Sequence, residues 1–133
     1  MKKQVEAWIR FAEKDLMTVS AIIEKPELAN VAAFHCQQAI EKYFKAFILG
    51  NGKRLTKVHN LMTLYGTIKE AANFEFDEDL LAALNDVYLE SRYPGEMGLL
   101  DYESTPTNEQ ISKYFIFAKE VEAKIRELLN END

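Results

Sequence analysis

The chain has 133 residues, with 16 Lys+Arg against 22 Asp+Glu and a formal net charge of −6 at pH 7. A composition that is 47% hydrophobic and 29% charged excludes a disordered protein, and this length fits one domain around one core. The net negative charge excludes a protein that coats nucleic acid or anionic membrane through bulk charge. The charge is nevertheless divided: residues 1–66 carry 10 basic and 6 acidic side chains, and residues 67–133 carry 6 and 16.

The chain has a single cysteine, Cys36, so it cannot form an intramolecular disulfide, and a reducing compartment is expected. No apolar run approaches the roughly 18 residues that a membrane span needs, and no apolar signal-peptide segment follows Met1. We therefore predict a cytoplasmic protein that does not contact a membrane.

Apolar residues recur at helical spacing along nearly the whole chain. A first helix ends before Pro26, and a second runs over about residues 30–49 until Gly50-Asn51-Gly52 supplies left-handed residues that end it. The second helix is apolar on more than one side. This pattern predicts that it lies at the centre of a bundle or is covered by a second subunit.

The second half of the chain predicts three more helices. A short one begins near Leu61, and a longer one starts after Asp77, a good N-cap, and ends at Pro94-Gly95. Residues 95–106 read as a loop, and Thr107 with Gln110 forms a capping box for the last helix. The expected fold is all-α: one domain over residues 1–133, an antiparallel up-and-down bundle of four long helices plus one short helix.

The number and spacing of the residues argue against a metal site, a catalytic Cys–His pair and a phosphate loop. Two histidines and one cysteine fit no metal motif, so neither a metal nor another cofactor is expected. A catalytic pair of Cys36 and His59 is less favoured than a small core cysteine. The run from Gly50 to Lys53 lacks the first glycine and the Ser/Thr of a phosphate loop, and it follows a helix instead of a strand.

A basic cluster occupies the end of the second helix and the segment after it. Its members are Lys42, Lys45, Lys53, Arg54 and Lys57, with His59 nearby. Only Glu41 opposes them, and at four residues from Lys45 it reads as an ordinary surface pair. Two interpretations stay open: a site for a phosphate-bearing ligand or acidic partner, and a solvated helix end whose cations complement the carbonyl dipole.

A second candidate site is the segment Ser91-Arg92-Tyr93-Pro94-Gly95 at the end of the fourth helix. Arginine suits bidentate phosphate recognition, and tyrosine can stack on a base. Equally, Arg92 could bond the last carbonyls of its own helix while Tyr93 packs under the loop.

These residues together resemble the HEPN domain (higher eukaryotes and prokaryotes nucleotide-binding), over most of the chain from about Trp8. The resemblance rests on the following segments: Trp8 to Leu16 on the first helix, Phe34-His35-Cys36-Gln37-Gln38-Ala39-Ile40-Glu41-Lys42-Tyr43-Phe44-Lys45-Ala46, His59-Asn60-Leu61, and Leu84-Asn85 to Arg92-Tyr93-Pro94.

The resemblance implies a helical bundle that usually dimerises, often encoded beside a minimal nucleotidyltransferase in toxin–antitoxin or related modules. Active members are metal-independent ribonucleases in which four to six residues separate an arginine from a following histidine. Arg92 matches the arginine, but Met97, Gly98 and Leu99 stand where the histidine would be. The resemblance is therefore to the Arg-Tyr-Pro type that lacks the ribonuclease histidine.

Three functional hypotheses follow. The leading one is a non-catalytic, dimeric module that binds a nucleotide or RNA phosphate and works with a minimal nucleotidyltransferase. A second is an endoribonuclease in which Arg92 polarises the phosphate and His59 or Tyr102 replaces the missing histidine. A third is a ligand-free scaffold or neutralising subunit. The apolar second helix is the expected dimer surface.

Overall fold

The computed structural model describes residues 2–92 and 105–131, and side chains over 2–87 and 105–130. Its elements are α1 (Lys3–Ile22), a 3₁₀ turn (Pro26–Leu28), α2 (Ala29–Gly50), α3 (Leu61–Ala72), α4 (Glu78–Arg92) and α5 (Asn108–Glu131). The described residues contain no strand, so the all-α prediction is confirmed, with four longer helices and one of 12 residues. Within the same residues, no helix has both the length and the hydropathy to cross a bilayer. Pro94 and Gly95, and the predicted loop up to residue 104, lie outside the described residues.

The helix ends follow local chemistry that the sequence shows. The Asp77 carboxylate accepts hydrogen bonds from the backbone N–H groups of Asp79 and Leu80 at 3.0 and 3.1 Å, which caps α4 as predicted. Thr107 and Gln110 exchange the two bonds of a capping box at 2.9 and 3.1 Å.

The glycines after α2 differ from the prediction. Only Gly52 adopts a left-handed conformation, with φ of 76°. Gly50 is still helical, and a Cβ atom there would lie 2.5 Å from Leu129 Cδ2. Gly50 therefore serves the close approach of α2 to α5, and Gly52 turns the chain.

Helix α2 is the centre of the fold, and every other helix packs against it. Most of its length is buried within the one chain, including Ile40, Phe44 and Phe47. Of the two predicted explanations for its apolar character, the central position is the one found. Its apolar residues consequently give no argument for a dimer surface on α2.

Side-chain contacts show how the long helices run. Trp8 lies against Lys45, and Asp15 against His35, so α1 is antiparallel to α2. Tyr43 bonds Glu122, and Gly50 approaches Leu129, so α5 runs in the same direction as α2. Because α1 and α5 both lie on α2 but contact each other little, a groove remains between α1 and α5. A separate polar seam runs along α1 and α2, where Asp15 meets His35.

The central position of α2 predicts a contrast between two isoleucines. Ile40 is 0% exposed and Ile116 is 59% exposed. We expect Ile40→Ala to lower the free energy of unfolding by about 2–5 kcal/mol, because it removes buried surface and leaves a cavity. Ile116→Ala should change it by less than about 0.5 kcal/mol. Urea denaturation of both variants measures the difference, and equal losses would contradict the packing.

Candidate functional site

Four polar or charged side chains of α1 and α2 are buried and form the seam: Asp15, Gln37, Glu41 and Lys45. Burying a charge is costly unless it is paired and hydrogen-bonded. Each of these side chains has such partners, and no buried polar side-chain atom of the described residues lacks a hydrogen bond. The seam is therefore a built polar network inside an otherwise apolar bundle.

The first part of the seam is centred on Asp15 of α1. Lys42 Nζ donates to one carboxylate oxygen at 2.6 Å, and His35 Nδ1 lies 2.9 Å from the other. His35 and Lys42 are seven residues apart and so lie on one side of α2. The Lys42 cation, which the sequence placed among the ligand-binding residues, is thus already paired with a buried carboxylate.

The second part of the seam is centred on Glu41. Lys45 Nζ donates to it at 3.2 Å, and His59 Nδ1 lies 3.3 Å from both of its oxygens. Glu41 is 4% exposed and Lys45 5% exposed, so the prediction of an ordinary surface pair is wrong. Spacing on one helix cannot reveal burial, which here comes from the elements packed over that side of α2.

The remaining cations of the predicted cluster lie in the segment between α2 and α3. Lys53, Arg54 and Lys57 are all exposed, and residues 51–60 contain no acidic side chain. Lys53 Nζ donates to the Thr67 carbonyl at 3.3 Å. The structure thus divides the predicted cluster into two paired, inward cations (Lys42 and Lys45) and three exposed ones.

His59 joins the two groups of cations. Its ring belongs to the exposed segment and is half exposed, while its Nδ1 faces the buried Glu41 carboxylate. At the start of α3, two of the first three backbone N–H groups already have side-chain acceptors, which leaves little room for an anion. Asn60 accepts from the Thr63 N–H at 3.1 Å, and Asn85 of α4 accepts from the Leu61 N–H at 3.0 Å.

The other predicted site is only partly described. Arg92 is the last residue of α4, and its side chain lies outside the described residues, as do Tyr93 and Tyr102. Asn85, two turns before Arg92, ties α4 to the start of α3 through the Leu61 N–H. The backbone of α4 is thereby fixed beside the end of the segment that carries the exposed cations.

Cys36 is fully buried. Burial, with the nearby Asp15 charge adding to it, raises the pKa of the thiol to about 12. A buried, protonated thiol is a poor nucleophile, which supports the core interpretation over a catalytic pair. Among the described residues, no three His, Cys, Asp or Glu side chains lie close enough to hold a metal ion.

A second polar network, which the sequence interpretation missed, lines the groove between α1 and α5. The buried Tyr43 hydroxyl donates to Glu122 at 2.6 Å, and Arg126 pairs with both Glu122 and Glu13. Burial first, and then the bond to Glu122, raise the pKa of Tyr43 well above its ordinary value. The groove has a volume of about 360 Å³. In the sequence, the sole sign of this network is the four-residue spacing of Glu122 and Arg126, which places both on one side of α5.

Comparison with known proteins gives one result. The family model of the HEPN domain matches residues 5–130 of this chain. No curated protein and no solved structure matches.

The seam predicts that the stability of the fold depends on Glu41. Glu41→Ala leaves the Lys45 ammonium buried without its counter-ion, so we expect the free energy of unfolding to fall by about 3–5 kcal/mol. Changing both residues, Glu41→Leu with Lys45→Met, should restore most of that loss, because no unpaired charge then remains.

Glu127→Ala is the matched control, since Glu127 is exposed and pairs with Lys124 at 3.6 Å. It should change the free energy by less than about 0.5 kcal/mol. Urea denaturation at neutral pH compares the three proteins, and a Glu41→Ala protein as stable as the control would refute the buried pair.

Proposed function

The chain belongs to the HEPN domain family, and on that premise we propose that it is a non-catalytic module that binds nucleotide or RNA phosphate. The family membership itself supports a module that acts on nucleotides or RNA. The phosphate-binding role, its location and the absence of catalysis are our proposal.

One observation carries the proposal: the segment between α2 and α3 presents Lys53, Arg54 and Lys57 to solvent without an acidic neighbour in residues 51–60. In a protein of net charge −6, such a local excess of cations attracts a polyanion by electrostatics. Lysine and arginine bind phosphate through charge-assisted hydrogen bonds. We assign the direct phosphate contacts to these three residues, to Arg92 at the end of α4, and to Tyr93, which follows it in the sequence.

The paired cations have a different role in this proposal. Lys42 and Lys45 are bonded to Asp15 and Glu41, so their charge is largely neutralised locally. Through Glu41, Lys45 is linked to His59, which lies two residues after the last exposed cation, and Lys42 ties α2 to α1 through Asp15. We therefore propose that Lys42 and Lys45 position the site and that His59 stands at its edge.

A second candidate function has one observation in its favour. His59 Nδ1 lies 3.3 Å from both oxygens of the Glu41 carboxylate. A carboxylate on Nδ1 orients a histidine and selects its tautomer, as in general acid–base catalysis. An endoribonuclease in which His59 moves the proton and Arg92 polarises the phosphate would use this geometry. The missing histidine at 97–99 makes it the second choice.

We also propose that the protein forms a homodimer and acts beside a minimal nucleotidyltransferase, in a toxin–antitoxin-like setting. The apolar side chains of α2 are buried in its own chain, so they do not support α2 as the contact surface. Sedimentation of the protein alone, and mixed with a nucleotidyltransferase encoded beside it, tests both proposals. A monomer at micromolar concentration in both samples would reject them, and a complex that binds no RNA would favour the scaffold hypothesis.

The phosphate proposal predicts the effect of removing the exposed cations. We expect the triple variant Lys53→Ala, Arg54→Ala, Lys57→Ala to weaken binding of a short single-stranded RNA by about tenfold or more at low salt. The slope of log K against log salt should fall by about 2, since each phosphate contact contributes roughly 0.7 on single strands. Fluorescence anisotropy with labelled RNA measures both quantities.

The matched control removes three other exposed lysines, Lys25, Lys69 and Lys113, and so changes the net charge equally. If both triple variants lose affinity equally, binding is non-specific and the site is wrong. The same reactions run on a denaturing gel test the second candidate. Cleavage that His59→Ala abolishes would establish a ribonuclease and overturn the non-catalytic proposal.

A further inference from the structure

A shallow hollow lies on the outward side of α1, away from the cations assigned to phosphate. Gln4, Ala7, Trp8 and Phe11 line it, and its volume is about 170 Å³. Phe11 is 54% exposed, although a large aromatic side chain on a surface helix usually turns inward. The hollow is smaller than the roughly 300–1,000 Å³ of sites for whole small molecules. Its size suits one planar ring system.

One ammonium group lies near each of the two aromatic rings: that of Lys14 is exposed, and that of Lys45 is buried and paired with Glu41. The Lys14 ammonium lies 5.6 Å from the centre of the Phe11 ring, and the Lys45 ammonium 5.5 Å from that of Trp8. Lys3, Arg10 and Lys14 are exposed and are spaced by seven and four residues, so they follow one side of α1. Aromatic side chains bordered by cations are the surface that proteins use to bind single-stranded nucleic acid.

A chain of side-chain contacts links the hollow to the proposed phosphate site. Lys45, which lies against the Trp8 ring, donates to Glu41 at 3.2 Å, and Glu41 lies 3.3 Å from His59. His59 belongs to the segment that carries the exposed cations Lys53, Arg54 and Lys57. A single strand bound to those cations would therefore pass the edge of the seam on its way to the α1 hollow.

We propose that the hollow on α1 is a nucleobase subsite, and that the ligand class is single-stranded RNA with an unpaired base stacked on Phe11 and Trp8. This inference rests on the proposed phosphate-binding function and extends it. Stacking tolerates any base, because every base has a π-face. The Gln4 amide at the rim offers a donor and an acceptor to the edge of the stacked base.

The experiment uses the fact that Trp8 is the only tryptophan of the chain. The full-length protein is titrated with an oligoadenylate RNA and with an abasic RNA of the same length, while anisotropy and tryptophan emission are recorded. A stacked base should change the Trp8 emission with oligoadenylate only. Phe11→Ala should weaken oligoadenylate binding by about tenfold and leave abasic RNA binding unchanged.

Met17→Ala is the matched control, because Met17 is an exposed apolar residue of α1 that does not line the hollow. It should bind both RNAs as the unchanged protein does. Neither substitution removes a buried side chain, so both variants should fold.

The outcomes separate the two claims. If neither RNA binds, the proposed function fails, and the subsite fails with it. If both RNAs bind equally and Phe11→Ala has no effect, the phosphate site stands and the base subsite is wrong. If Phe11→Ala leaves RNA binding intact but converts a dimer to a monomer in sedimentation, this side of α1 is a protein interface and the base subsite is likewise overturned.

Discussion

The buried carboxylate of Glu41 connects three parts of the molecule that the chain alone keeps apart. It bonds Lys45 one turn further along α2, and it faces His59 beyond the end of that helix. Lys45 in turn lies against Trp8 of α1. Because a buried carboxylate needs these partners, α1, α2 and the end of the following segment must adopt one relative position for the protein to be stable.

The same constraint separates the basic residues into two kinds. Lys42 and Lys45 form ion pairs with Asp15 and Glu41, which neutralise their charge within the fold. The cations of residues 53–57 are exposed and have no acid in their own segment. A positive surface can therefore persist in an acidic protein, because Asp15 and Glu41 are paired inside the seam and residues 51–60 contain no acid. The exposed acids Glu70, Glu75 and Asp77 lie in the last turn of α3 or just after it, so a bound polyanion is favoured at the start of α3 over its end.

Much of the fold could be predicted from the sequence. The caps at Asp77 and at Thr107 with Gln110 are local chemistry, and the helical spacing of apolar residues is strong. The central position of α2 was one of two predicted explanations, and only the packing of the other helices around it could decide between them. The exposure of Glu41 and Lys45 could not be predicted, because their i,i+4 spacing is the same on a surface and in a seam.

The sequence predicted the residue types of the candidate site, but not that its cations divide into paired, inward ones and exposed ones. The sequence showed the cluster from Lys42 to Lys57, yet the pairing of Lys42 with Asp15 joins residues 27 positions apart. The hollow on α1 gave no signal either, since Trp8 and Phe11 at helical spacing look like an ordinary core stripe. Contacts between distant segments and the exposure of single side chains are properties of the packed structure, so neither follows from local pattern.

The account depends most on where RNA meets the protein, and amide chemical-shift mapping tests that directly. In ¹⁵N-labelled protein titrated with single-stranded oligoadenylate RNA, we expect the largest changes in the amides of residues 51–60 and in those of α1 from Gln4 to Phe11. The amides of residues 73–79, at the acidic end of α3, should stay in place. Changes confined to that acidic turn, or none in residues 51–60 at saturating RNA, would contradict the phosphate site.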